Sequence, residues 1–418
     1  MIENTTIERC HNLLLSTCII CGSTTGRPVV CNGYKIMKKP KLLLSLALLL
    51  AAGSLFTACS SNSKNTSAPD TGATTAITAT DTPVPAANSA DNDNSNDNDG
   101  KDPITGETYP EQINIGVIEG GPESAVLIQE NYFKDIDVKV NAVNYSAGTD
   151  INNAVVSGDV DVASFGSSPI ALGISNGINY KAVFVSYLEG GNIEALVVKK
   201  SLGISAVADL KGKTIAAPFG TTSHYALLNT LKLAGLSPSD VTLLDMGGAD
   251  IVAAWTRGDI DAAYIWSPAL DECVKNDGVI LTNVGELAKQ GVSIPEIAVA
   301  RNEFAEKYPT LVSQYIKALI NTYDLVKNNP DQATKAVAAW EGVTEENAKG
   351  QVADNIWVSG EDQLTADYLG TRDSKGKLAD TLKTIADFHT EQGNLGSSPE
   401  LSVFQNAIDT SFVELALK

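Results

Sequence analysis

Two stretches of the chain carry the same order of apolar and polar positions. Residues 148–172, GTDINNAVVSGDVDVASFGSSPIAL, align with residues 248–270, GADIVAAWTRGDIDAAYIWSPAL. Asp150 falls on Asp250, Ile151 on Ile251, Gly158-Asp159 on Gly258-Asp259, Asp161 on Asp261 and Ala163 on Ala263, with one residue lost ahead of Pro268. In each copy a helical spacing of apolar residues stops at glycine, an Asp-flanked apolar run of strand length follows, and Ser-Pro opens another helix. One supersecondary unit used twice predicts two α/β lobes. Their strand ends and helix starts face each other across a cleft.

The patterning extends to both sides of the repeats. Strands are predicted at 113–118, 138–143, 182–187, 213–217, 279–281 and 296–301, and helices at 309–326, 330–340 and 378–392, where apolar residues recur at i, i+3 and i+4. Another helix follows the turn at 218–224 and runs to Leu233, with Gly235 as its stop. The apolar run 195–198 is expected to lead out of the first lobe, and the strand at 296–301 to return to it. The expected division is therefore 111–198 with 299–418 as lobe I and 199–298 as lobe II. Two crossings, near 196–202 and 296–301, favour hinge closure over free tumbling.

Composition changes the picture mainly at the N-terminus. Residues 1–36 hold four of the six cysteines and do not continue into any element, so Met37 is the expected start and 1–36 an untranslated or non-native leader. From there a basic segment (37–41) and an apolar one (42–50) lead to Leu55-Phe56-Thr57-Ala58-Cys59, which resembles the lipobox of bacterial lipoproteins with Phe56 where Leu is usual. The expectation is a signal peptide over 37–58, lipidation at Cys59, and a polar disordered tether over 59–110. The alternative is a transmembrane helix, for which the apolar run is shorter than the ~20 residues needed. Cys18 and Cys21 have no second ligand pair nearby, and Cys273 reads as a core residue. A formal net charge of -20 argues against nucleic acid as a partner.

Candidate chemistry lies at two helix starts. Thr221, Thr222 and Ser223 open the helix after 218–220, and their hydroxyls with the free N–H groups behind them form an anion site without Arg or Lys. Ser167-Ser168-Pro169 makes the same offer from the other lobe. The plain alternative is that these hydroxyls only cap their helices. The turn Glu119-Gly120-Gly121-Pro122-Glu123 lacks the P-loop lysine and the dinucleotide spacing, so a phosphate reading is weak.

Gly166-Ser167-Ser168-Pro169, Glu194-Ala195-Leu196-Val197-Val198-Lys199-Lys200, Asp209-Leu210-Lys211-Gly212-Lys213, residues 218–228 and 253–261, in this order, resemble the taurine-binding proteins of bacterial ABC importers. The resemblance covers residue 113 to the C-terminus and is tightest over 158–268. It implies the type II periplasmic-binding-protein fold, α/β with two lobes, each a mixed sheet flanked by helices, joined by a hinge of two crossings. It implies a binding protein rather than an enzyme, an exported monomer at the outer face of the membrane, held by its lipid and partnered by a permease and an ATPase, with no cofactor and no metal. Taurine carries a sulfonate and an ammonium, so an acidic group is expected opposite the hydroxyls. By resemblance Glu123 matches a family carboxylate, and Glu296 stands where the family carries Asp. Trp266 or Tyr264 is expected over the ligand's methylenes, and His224 is either a helix-face residue or a donor to the ligand. Glu119-Gly120-Gly121 and Ile294-Pro295 depart from the family pattern around the amine contacts.

Other carriers on this fold serve alkanesulfonates or nitrate, and related folds bind or make thiamine precursors. Against an enzyme, His224 and His389 have no Cys or Asp in a nucleophile arrangement and no metal-ligand spacing. A tethered sensor for a receptor kinase would read the same as a carrier in sequence.

Overall fold

The computed structural model describes residues 100–418; Met37, the signal segment and Cys59 lie outside them. The strands are β1 (Gln112–Ile118), β2 (Lys139–Tyr145), β3 (Val162–Gly166), β4 (Tyr180–Leu188), β5 (Glu194–Lys199), β6 (Thr214–Ala217), β7 (Thr242–Asp245), β8 (Ala262–Trp266), β9 (Gly278–Asn283), β10 (Pro295–Arg301) and β11 (Ile356–Trp357). They form two sheets, in the orders β11-β4-β10-β3-β1-β2 and β7-β6-β8-β5-β9. Both sheets are mixed, with parallel β1, β2 and β3 in the first matched by parallel β6, β7 and β8 in the second.

The repeat is visible as geometry. Helix α2 (Gly148–Ser157) precedes β3 and helix α5 (Gly248–Arg257) precedes β8. Each ends at a glycine with positive φ, Gly158 at 84° and Gly258 at 83°, a conformation that costs an L side chain energy. The second Asp of each GDxD then ties the strand to its parallel neighbour. Asp161 accepts from the Asn114 N–H and Asp261 from the Thr214 N–H, each at 2.9 Å. The backbone of each Asp donates back to the same residue. The acidic positions flanking the apolar run are therefore register clamps. Arg301 closes the first clamp with a 2.6 Å ion pair to Asp161.

Two boundaries differ from the sequence expectation. The strand at 194–199, expected to lead out of the first lobe, pairs on both sides within the second sheet, between β8 and β9. Its residues Ala195, Leu196, Val197 and Val198 are fully buried, as a central strand demands. Likewise β10 lies wholly in the first sheet, between β3 and β4, so residues 295–298 belong there. The chain thus crosses between sheets at 189–193 and again at 284–294. Strands β7 and β11 and the helix Glu345–Ala353 have no counterpart in the expected elements.

Helices α1 (Pro122–Gln129), α3 (Ser167–Ser175) and α4 (Thr222–Leu233) start close to the strand ends of the first and second sheets. Helix α4 is buried along every residue from Thr222 to Leu231, which marks a helix packed on all sides rather than an amphipathic surface one. The C-terminal helix α6 (Leu378–Glu391) lies against it: Tyr225 meets Phe388 edge-on with ring centres 5.2 Å apart, and Lys232 pairs with Glu391 at 3.0 Å. One apolar core runs through α3, α4 and α6 from one sheet to the other.

Candidate functional site

The two sheets approach each other where side chains are missing. Gly120, at φ +80°, sits so close to the second sheet that a Cβ there would lie 2.2 Å from the Ser267 carbonyl and 2.8 Å from the Trp266 ring. A Cβ on Gly166, at the end of β3, would lie 2.4 Å from the Thr222 methyl. Trp266 Nε1 donates to the Glu119 carbonyl at 3.1 Å and holds the contact from the other side. Between these contacts lies a cavity of about 40 Å³.

Acidic groups dominate this region. Glu189 follows β4, Glu194 opens β5 and Glu296 is the second residue of β10; all three line the cavity. Glu123, second residue of α1, lies behind Gly121, whose added Cβ would stand 3.2 Å from both of its carboxyl oxygens. All four side chains are buried, and no Lys, Arg or His lines the cavity. Burial lifts the Glu123 carboxyl from an ordinary 4.5 to about 7, against opposing pulls from its own N–H and the nearby Ser164, Tyr187 and Ser124 hydroxyls. Burial lifts Glu194 to about 7 as well, opposed by Thr222 and Ser223. Glu189 and Glu296 go well above the usual range, first by burial and then by the charges of the other acids. Glu189 Oε2 and Glu194 Oε2 have no hydrogen-bond partner in the protein. A buried carboxylate without a partner is costly, so this cluster either keeps protons or takes a cation.

Of the residues expected from sequence, the structure brings Thr221, Thr222, Trp266 and Glu296 to the cavity wall, with Glu123 just behind it. The hydroxyls are mostly committed. Thr221 donates to the Pro218 carbonyl at 2.6 Å, and Thr222 donates to Glu194 Oε1. Ser168 shares a 2.8 Å hydrogen bond with His389 Nε2 and donates to the Gly220 carbonyl at 3.4 Å, away from the wall. His224 is not in the wall: its Nδ1 accepts from the Gly220 N–H at 3.3 Å and its ring stacks on Phe219 with centres 4.2 Å apart, so it braces the turn. Burial brings its pKa down to about 4, which keeps it neutral. Tyr264 is fully buried and not part of the wall. Ser167 and Ser223 are buried with hydroxyls that meet no partner of ordinary geometry, although Ser223 lies near enough to Glu194 to stabilise its charge.

Residues 126–333 match the NMT1/THI5-like family. The taurine-binding periplasmic protein of Escherichia coli K12 is 34% identical over 280 residues, covering 66% of this chain and 84% of that one. This chain belongs to the taurine- and sulfonate-binding family of periplasmic binding proteins. The fold agrees. The alkanesulfonate-binding protein SsuA of Xanthomonas axonopodis pv. citri superposes with a TM-score of 0.58 at 21% identity, covering 72% of this chain and 99% of that one. The desulfurization enzyme DSZB shares the fold too, with a TM-score of 0.54 at 16% identity over 74% of this chain and 99% of its own.

For this family member the sequence reading passed over Glu189 and Glu194. Glu194 stood inside a motif quoted for resemblance, and Glu189 precedes Gly190-Gly191 at what read as an ordinary loop. The signal was an acid at each end of a short crossing between strands. Gly191, at φ +53°, turns the chain there and brings the two carboxyls to the same wall. Among the described residues, no group of three or more His, Cys, Asp or Glu is arranged to hold a metal ion.

Proposed function

We propose that this protein captures taurine between its two sheets and delivers it to the permease of an ABC importer. As a member of its family it is an exported sulfonate- or taurine-type binding component of such an importer. Taurine in particular is favoured by one observation: four buried carboxyls gather at a cavity with no basic side chain in its wall. A nitrate or plain alkanesulfonate ligand has no use for them, whereas an ammonium supplies the positive charge they need. The sulfonate end is assigned to the start of α3, where free N–H groups carry the positive end of the helix dipole and which has no carboxyl of its own.

Calorimetric titration with taurine, ethanesulfonate, nitrate and β-alanine tests this. Taurine is expected to bind at least roughly a thousandfold tighter than ethanesulfonate, because a site built for a polar group rejects an analogue lacking it by as much as ~10⁴. Equal affinity for the two sulfonates marks a general alkanesulfonate carrier instead. The ligand is expected back unchanged, since the described cysteine, Cys273, is buried in the second sheet's core with its thiol pushed up to about 12, first by burial, and is no nucleophile.

The same proposal includes the anchor. Cys59 follows a basic and then an apolar segment in the order of a lipoprotein signal, which supports synthesis from Met37 and acylation at Cys59. Mass spectrometry of the native N-terminus is expected to find a lipidated Cys59; a peptide spanning residues 34–37 from cells would refute it.

A further inference from the structure

The geometry points to Glu194 as the residue that excludes purely anionic sulfonates, by holding a carboxyl of the chain itself at the start of α4 where a ligand's acid group would otherwise lodge. The inference rests on reading the ligand as a zwitterionic sulfonate, and adds how the site refuses the others.

Helix α4 spans twelve residues and begins without a side-chain cap: Thr221, at the N-cap, turns its hydroxyl back to Pro218. The group that takes the first hydroxyl of the helix is Glu194, whose Oε1 accepts from Thr222 Oγ1. Beside this bond Glu194 Oε2 has no hydrogen-bond partner of ordinary geometry; the Ser223 hydroxyl is near enough to favour its charged form but also makes no bond of ordinary geometry. An arrangement complete in itself would have satisfied both. What completes it donates to Glu194, as an ammonium does.

A sulfonate with no cation has no such donor. Where Glu194 is ionised, that sulfonate brings its charge toward a carboxylate in a water-poor site, where like charges repel strongly, with Glu189, Glu296 and Glu123 close to one another there. Once an ammonium lies among these acids, Glu194 changes from an obstacle to a partner.

The test uses Glu194→Gln, which removes the charge and keeps both the shape and an acceptor for Thr222. Ethanesulfonate affinity, measured by calorimetry on the full-length protein, is expected to rise at least tenfold while taurine affinity falls at least tenfold. Glu194→Asp, which keeps the charge, is expected to keep the rejection. Unchanged ethanesulfonate affinity in a folded Glu194→Gln protein overturns the inference. If the variant does not fold, the wild type decides: lowering the pH from 8 to 5.5 protonates Glu194 and Glu123 of α1, both raised to about 7, among Glu189, Glu296 of β10 and Glu119, which burial also raises, with Tyr187 of β4, Tyr264 of β8 and the α4 hydroxyls uncharged throughout. Ethanesulfonate is then expected to tighten and taurine to weaken, and parallel slopes for the two overturn the proposal. Wild-type protein that binds both sulfonates equally well at pH 7 is a different failure, that of the taurine reading itself.

Discussion

Replacing Glu123 with Gln is expected to weaken taurine by roughly 30-fold to several thousandfold and to leave ethanesulfonate little affected or improved. Truncating one partner of a buried, hydrogen-bonded charge pair costs about 2–5 kcal/mol, which converts to that range of affinity. Glu123 qualifies because it is fully buried at the start of α1 and has no basic side chain at the cavity wall to pair with. Burial holds its carboxyl near 7 in the absence of a cation, so an incoming ammonium draws it into the charged form. Gln keeps the volume and loses only the charge. The comparison needs calorimetry with both sulfonates and a circular dichroism spectrum to show that α1 stays formed. Should taurine bind the variant as tightly as the wild type, the ammonium is held by other groups.

The second large effect is on stability, in the absence of ligand, and its sign follows from which state holds the protons. Unfolding returns Glu123 and Glu194 from about 7 to an ordinary 4.5, so above pH 4.5 the folded chain binds protons that the unfolded chain has released. Stability therefore falls as pH rises, by about 1.4 kcal/mol per pH unit for each carboxyl still protonated in the fold. Glu189 and Glu296, raised by burial and by the other acids, add to the fall. His224 and His389 act the other way, because burial lowers both from 6.5 to about 4 and the unfolded chain then binds the extra protons. Their contribution grows between pH 4 and 6.5 and is complete above it. The window from pH 6.5 to 8 thus isolates the acids, and the thermal midpoint of the ligand-free protein is expected to drop across it. Saturating taurine should flatten the drop, since carboxylates paired with an ammonium need no protons. A midpoint that stays level without ligand would mean that the acids are already ionised at pH 6.5.

Much of this architecture was legible because it is written twice. The GDxD copies predict two similar units, and Asp161 and Asp261 make the same backbone bond in each. Patterning also located the long helices to within a few residues, since their apolar spacing persists over several turns. Short strands carry no such periodicity: β11 has two residues and β7 four, and pairing partners rather than local sequence create them. The boundary at β5 was misplaced for a related reason. An apolar run such as residues 195–198 states that a strand is buried on both faces but not in which sheet. At the site, hydroxyls at helix starts were legible as donors, yet where they donate depends on residues far along the chain. Thr222 is spoken for by Glu194, 28 positions earlier, and Ser168 by His389, 221 positions later.

The glycines at 120 and 166 give this protein a division of labour. How near the sheets come is set by the missing side chains, Gly120 against the Ser267 carbonyl and Gly166 against the Thr222 methyl. On the proposed function, what the cavity accepts depends on carboxyls borne elsewhere, after β4, at the start of β5 and on β10. A lineage that exchanges those acids therefore changes its cargo while inheriting the same resting distance between sheets, so a surface that reports this distance to a permease keeps its shape while the diet changes.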